Sequence, residues 1–181
     1  MTLLPFEQPA APRDYRHPAA IDDDALLAEC DFTRDRSSGP GGQHRNKVET
    51  QVKLHHRPTG AHAQAGERRS QVENKKVAVR RLRLILAVDH REPVPRGDAR
   101  SALWRSRVRN GRIACNPEHH DYPALLAEAM DLIAHGGWDL KDAAVRLEVT
   151  ASQLLKLVKD HAPALVRLNA ERKALGLHPL K

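Results

Sequence analysis

The groups in this chain best suited to chemistry gather between residues 36 and 46: Arg36, then Ser37-Ser38-Gly39-Pro40-Gly41-Gly42-Gln43, then His44-Arg45-Asn46. A stretch this rich in Ser and Gly forms no regular element, and paired glycines admit backbone conformations closed to residues with a Cβ. Taken alone, a Gly-Gly pair is simply a flexible loop. His44, beside Gln43, offers a general base by type. His55, His56 and His62 follow soon after, and His119-His120 form a second pair, which raises the question of a metal. A metal site needs converging ligands, usually with a carboxylate or thiolate, whereas adjacent residues on a strand point to opposite faces. No metal and no cofactor are expected. Cys30 and Cys115 have neither metal-ligand spacing nor the density of a disulfide scaffold, so both read as reduced thiols.

The second chemical signal is charge. The 181 residues carry a formal net charge of +7, but it is unevenly spread. Residues 1–30 sum to −4, residues 31–91 hold 14 Lys and Arg against 6 Asp and Glu, residues 92–110 sum to +3, and residues 111–181 are neutral. The excess sits with the Gly-rich loop, as expected of a nucleic-acid contact. Aromatic residues make up only 3% of the chain, too few for a base-stacking platform. An RNA partner would therefore be met through phosphates and backbone shape.

The elements that must position these groups can be read from periodicity. Residues 1–20, with Pro5, Pro9, Pro12 and Pro18, read as a disordered or loosely attached arm. Asp22, Asp23 and Asp24 suit the start of a short helix over Ala25–Ala28, and a strand follows through Cys30, Phe32 and Arg34. Val48 to His56 alternates as a strand does, Arg57-Pro58-Thr59-Gly60 is a turn, and Ala61 to Ala65 returns as its partner. Ser70, with Glu73 three residues on as in a capping box, starts a helix whose apolar positions Val72, Val79, Leu82 and Leu86 run to about Val88. Lys75, Lys76, Arg80, Arg81 and Arg83 should lie largely outside it. Pro93 and Pro95 end this unit, and a basic connector follows, with a short helix near Leu103 and Trp104. Helical patterns then cover 124–134, 141–147 and 152–159, with a last turn or two over 169–175. The class is α+β: a small domain at 21–91 built of a short β-sheet and a covering helix, a connector at 92–120, and a small all-α module at 121–181 with helix-turn-helix character. Nothing approaches a membrane span, and the first 20 residues lack the apolar core of a secretory signal, so a soluble, cytoplasmic protein is expected.

The order Ser37 to Asn46, strand, Pro58-Thr59-Gly60 turn, then Arg68-Arg69-Ser70-Gln71-Val72-Glu73-Asn74-Lys75 resembles the catalytic (GGQ) domain of class I peptide chain release factors and of the short stalled-ribosome rescue hydrolases. The resemblance covers roughly residues 30–88 and rests on two independent motifs. It implies hydrolysis of the ester joining the nascent peptide to the P-site tRNA in the peptidyl transferase centre of the large subunit, with water as nucleophile. It further implies that the main-chain N–H of Gln43 stabilises the tetrahedral intermediate, that the Gln43 side chain shapes the cavity for water, and that Gly41 and Gly42 allow close approach. Arg45 and Asn46 would help place the loop; Arg36, Arg68, Arg69, Lys75 and Lys76 would meet tRNA or ribosomal RNA. No acid, base or metal from the protein is then required, and a monomer is expected.

A release factor that reads stop codons needs further domains, and only about 35 residues precede this motif, so codon-independent rescue is the expectation. The small rescue enzymes it resembles carry a Lys/Arg-rich tail, whereas residues 170–181 are barely basic; Arg96, Arg100, Arg105, Arg107 and Arg109 of the connector could substitute. A helix from Ser152 would offer Gln153, Lys156 and Lys159, but zero net charge over 111–181 argues against strong phosphate binding. The competing class is a ribosome- or RNA-binding protein that keeps the fold while its loop is idle; the intact Gly41-Gly42-Gln43 favours the hydrolase.

Overall fold

The computed structural model describes residues 16–35 and 50–181. The first helix, α1 (Asp23–Ala28), starts as its acidic run predicts: the Asp22 carboxylate accepts from the Ala25 N–H at 2.8 Å, and Asp23 and Asp24 occupy the positive end of the helix. Strands β1 (Cys30–Asp35), β2 (Gln51–His56) and β3 (His62–Ala65) form an antiparallel sheet in the order β1-β2-β3. Alternation in β2 sends Val52, Leu54 and His56 into the core. The strand expected from residue 48 begins at Gln51 among the described residues; 48 and 49 lie outside them. Gly60, at φ +72°, makes the turn into β3, where Ala63 and Ala65 continue the apolar face.

Helix α2 (Gln71–Asp89) lays Asn74, Ala78, Val79, Leu82 and Leu86 against this sheet, a repeat of four that keeps one face inward. Three details differ from the sequence-based expectation. Ser70 is the N-cap residue but its hydroxyl makes no capping bond, so the capping box with Glu73 is not formed. Val72, expected on the apolar face, is exposed. Arg80 and Arg83 are turned inward: Arg80 donates to the carbonyls of Pro117 and His119, and Arg83 to that of Ala19 while pairing with Asp23. Long Arg stems lie along the protein surface and deliver the guanidinium to backbone acceptors, which a helical wheel cannot reveal. The arm expected over 1–20 falls mostly outside the described residues, but its described end is packed, with His17 and Ala19 buried and the His17 ring on the His90 carbonyl.

Beyond α2, helix α3 (Ala102–Arg107) is capped by Ser101 and followed by β4 (Val108–Arg109) and β5 (Arg112–Ile113), a hairpin within the expected connector. Four helices follow: α4 (Tyr122–His135), α5 (Leu140–Arg146), α6 (Ala151–Lys159) and α7 (Ala162–Ala174). The helical pattern over 124–134 falls within α4, of which Tyr122 through Ile133 are all buried. The reason is tertiary: α4 packs on α2, α5 and α6, and its residues from Tyr122 to Ile133 are left without a face in water. Helix α7 is also longer than the turn or two expected, with Pro163 in its first turn, where the missing N–H costs nothing. The buried apolar residues form one cluster running from Ala19 through α2 and α4 to Leu168.

Trp104 links α3 to this bundle. It is fully buried, and its indole N–H donates to the Leu147 carbonyl at 2.9 Å. Trp104→Phe removes that donor and part of the ring, leaving a buried carbonyl without its partner. A loss of roughly 2–3 kcal/mol of unfolding free energy is expected in urea titration; a loss within about 0.5 kcal/mol would mean that the carbonyl has another partner.

Candidate functional site

The Gly-rich segment is anchored by its neighbours. Asp35, the last residue of β1, is the register partner of Gln51, the first of β2. The chain therefore leaves and re-enters the sheet at one end, with residues 36–50 between. Gly41, Gly42, Gln43, Arg36, Arg45 and Asn46 lie outside the described residues. What the structure defines is the base from which they are held. Val52 pairs with Ala65, so the chain end of β3 lies at the same end of the sheet, and Gly66–Ser70 carry it directly into α2.

Asn74 locks that base. Fully buried, it donates from Nδ2 to the Thr50 carbonyl at 2.7 Å and to the Arg68 carbonyl at 3.0 Å, and its Oδ1 accepts from the Arg68 N–H at 2.9 Å. One amide thus ties the re-entry point of the segment to the approach of α2 and satisfies three backbone groups that no ladder reaches. Arg81 adds a second tie, donating to the Gln64 carbonyl and pairing with Glu67 at 2.6 Å. The Gly66 N–H, donating to Glu67, holds that carboxyl below its usual range. Sequence reading noticed Asn74 only as part of a motif; its role depends on Thr50, which pattern alone does not connect to it.

Around this clamp Arg68, Arg69, Lys75 and Lys76 are all exposed, and none has an ion-pair partner among the described residues. The contrast with other cations is sharp. Arg57 pairs with Asp31, Arg81 with Glu67, Arg83 with Asp23, Arg91 with Asp131 and Arg107 with Asp121. Four cations without an ion pair among the described residues therefore stand near the N-terminus of α2, where Glu73 is the acidic residue of the first turn. Three of the five connector arginines suggested as a substitute basic element are otherwise engaged: Arg100 pairs with Asp98 and Glu148, Arg105 with Asp98, and Arg107 with Asp121; Arg96 and Arg109 are exposed, with no ion pair among the described residues.

The histidines hold structure. His56 is buried between the Thr59 hydroxyl at 2.7 Å and the Glu29 carboxylate at 2.9 Å, whereas its neighbour His55 faces the other way, beside Asp31 and stacked on His62. His119, His120 and Asp121 do bring three ligand atoms within 4.8 Å of one another. The Arg107 guanidinium already sits on Asp121, donating from Nε at 2.8 Å, and approaches His119 at 3.2 Å. A cation in that position opposes a metal. Burial pushes both thiols, Cys30 and Cys115, above their ordinary range, which makes them poor nucleophiles.

One buried acid remains. Glu128 of α4 accepts from the Ser101 N–H at 2.7 Å and the Ser101 hydroxyl at 2.6 Å. Burial outweighs these bonds and pushes its pKa up to about 7 from 4.5. The protonated folded form is thus favoured over the ionised one. Its stabilising contribution is complete below about pH 4.5 and is lost as pH rises to about 7, at roughly 1.4 kcal/mol per pKa unit. Glu128→Gln, always neutral, is expected to flatten the fall of Tm between pH 5 and 7 in thermal unfolding. Parallel curves for the two proteins would show that Glu128 ionises normally.

The RF-1 domain family matches residues 21–114, a span that holds β1, the Gly-rich segment, the clamp, the cation cluster and α3. A peptide chain release factor of Arabidopsis thaliana chloroplasts, PrfB1, is 40% identical over 88 residues, 45% of this chain and 19% of that protein. Peptide chain release factor 1 of Acidiphilium cryptum is 40% identical over 108 residues, 59% of this chain and 30% of the relative. The same factor of a Nocardioides strain is 36% identical over 100 residues, 53% and 28% respectively. The chain thus spans under a third of the length of these relatives. Helices α4 to α7 lie outside the matched span, and with them Glu128 and Leu147, the partners of Ser101 and Trp104 that brace α3. The match nevertheless takes in more than half of the sequence, including both the Gly-rich segment and the Arg68–Lys75 motif, and through this RF-1 domain the chain belongs to the class I peptide chain release factor family.

Proposed function

We propose that this protein hydrolyses the peptidyl-tRNA ester on ribosomes and does so without reading a stop codon itself. The reading rests chiefly on the RF-1 match across the Gly41-Gly42-Gln43 segment. It is supported by the four exposed cations Arg68, Arg69, Lys75 and Lys76, which have no ion pair among the described residues. In this mechanism the loop enters the peptidyl transferase centre of the large subunit beside the P-site tRNA. Water attacks the ester carbonyl, and the Gln43 main-chain N–H donates to the oxygen on which negative charge develops. The Gln43 side chain limits the space to water. Gly41 and Gly42 allow the backbone to approach the tRNA end, Arg45 and Asn46 orient the loop, and Arg36, Arg68, Arg69, Lys75 and Lys76 neutralise phosphates of tRNA and rRNA. No metal or cofactor takes part. The protein acts as a cytoplasmic monomer; among its described residues no helix is long and apolar enough to cross a membrane.

The bundle beyond the matched span acts as a brace and docking module in this reading. Helices α5 and α6, joined across Leu147–Thr150 with Glu148 at φ +54°, are its helix-turn-helix-like pair. The direct test is single-turnover release of labelled peptide from ribosomes halted at the end of an mRNA that lacks a stop codon. Release is expected with this protein alone. Co-sedimentation with those ribosomes without release would instead favour an idle binding protein.

A further inference from the structure

The hairpin formed by β4 and β5 carries an arrangement that costs stability unless something compensates it. Asn110 and Gly111, at φ +50° and +71°, form the mirror-image two-residue turn that Asn-Gly favours. The residues flanking it are Arg109 and Arg112, which are direct cross-strand partners. Directly opposed residues stand about 5.5 Å apart at Cα and project to the same side, and like charges so placed repel. Both arginines are exposed, and among the described residues neither has an ion-pair or side-chain hydrogen-bond partner. Val108 and Ile113, on the other side, pack on the core.

The hairpin is held at a defined place. The Ile113 N–H faces the Gln153 side chain at 3.4 Å, at the start of α6. Lys156 lies one turn further along the same helix face, and both it and Lys159 are exposed, with no ion pair among the described residues. The neutrality of residues 111–181 does not contradict a basic surface here. Glu118, Asp121, Asp131, Glu148 and Glu171 are in ion pairs within the fold, and Glu128 is buried on Ser101. Most of the module's acids are consumed internally, whereas these cations are not.

We propose that the β4–β5 hairpin and the adjoining face of α6 form a second RNA-binding surface, in which Arg109 and Arg112 straddle backbone phosphates of a double-helical RNA and Lys156 extends the contact. Two guanidinium groups on a rigid two-strand tip suit the phosphate track along a groove, where shape is read without base stacking. The proposal rests on the ribosomal reading only for which RNA is met; binding itself does not depend on catalysis.

The test uses the full chain and a fluorescein-labelled RNA duplex of mixed sequence, titrated over a range of salt. Arg109→Ala with Arg112→Ala is compared with wild type and with a charge-matched control, Lys173→Ala with Lys181→Ala. The hairpin variant is expected to bind about tenfold or more weakly at low salt. Its slope of log affinity against log salt should fall by about 0.7–0.9 for each lost phosphate contact. The control should bind as wild type does, and because the readout is duplex binding and not peptide release, loss of the hydrolase reading would leave this result untouched. Thermal unfolding of the hairpin variant should be no lower than wild type, because a repulsion has been removed. Equal binding by the hairpin variant and the control, or no duplex binding by wild type, would overturn the proposal. So would a photo-crosslinker at position 110 that transfers on ribosomes to protein and not to RNA.

Discussion

Gln43→Pro is expected to abolish measurable peptide release, with a loss of about 10²–10³-fold, while Gln43→Ala retains a clear fraction of it. The distinction follows from which atom is asked to act. Alanine removes the side chain but keeps the main-chain N–H; proline deletes that N–H and fixes φ. Losing one donor aimed at a developing oxyanion typically costs about 10²–10³-fold in rate. The alanine variant should also accept larger nucleophiles, such as hydroxylamine, more readily than wild type, because the side chain no longer restricts the space. Release and nucleophile competition, measured together at a saturating concentration of each variant, separate the two roles. Equal activity of the two variants would remove the main-chain N–H from the mechanism.

Asn74→Leu is expected to have the next largest effect, and it would act without touching substrate. Leucine has a similar volume but leaves the Thr50 carbonyl and both backbone groups of Arg68 without their buried partner. An unsatisfied buried group costs about 1–3 kcal/mol, and three that can partly relax suggest roughly 3–4 kcal/mol in urea unfolding. Asn74→Asp keeps the Arg68 N–H contact but turns a carboxylate toward two carbonyls, so it should be no milder. Because Asn74 holds the point where the segment re-enters β2, release should fall by about 10²-fold even at temperatures where the variant stays folded, as misplacing a catalytic element commonly does. A stability loss with an unchanged release rate would restrict Asn74 to a structural role.

The parts of the fold that were legible in the sequence are those governed by local periodicity and turn chemistry. Val52 and Leu54 alternate as β2 requires, Gly60 takes the positive φ that its turn needs, and Asp22 caps α1 as its side chain allows. The site was legible as a motif, and Arg68, Arg69, Lys75 and Lys76 were legible as cations. Which cations remain free was not, because a guanidinium finds its partner across the fold: Arg83 meets Asp23 and Arg107 meets Asp121. The all-round burial of α4 was equally hidden, since it comes from contacts with α2, α5 and α6 that are distant in sequence or set only by the tertiary fold. The Asn110-Gly111 turn is a different case. The signal for a hairpin stood in the sequence and was submerged by reading residues 92–120 as an Arg-rich connector.

The same packing limits how the C-terminal helices can be studied. A chain ending near residue 110 would strip α4 from α2, and remove Glu128 from Ser101 and the Leu147 carbonyl from Trp104. Loss of activity in such a truncation would report unfolding as much as docking. Point substitutions on the exposed faces, such as Arg109, Arg112 and Lys156, leave the core intact and are the better probes.

The central claim is tested most directly by comparing peptide release from two ribosome complexes that differ only in the A site, one ending at the last sense codon and one carrying a stop codon. Release at similar rates from both, lost in each with Gln43→Pro, is the predicted result. Release confined to the stop-codon complex, or absent from both while the protein still binds, would contradict codon-independent hydrolysis.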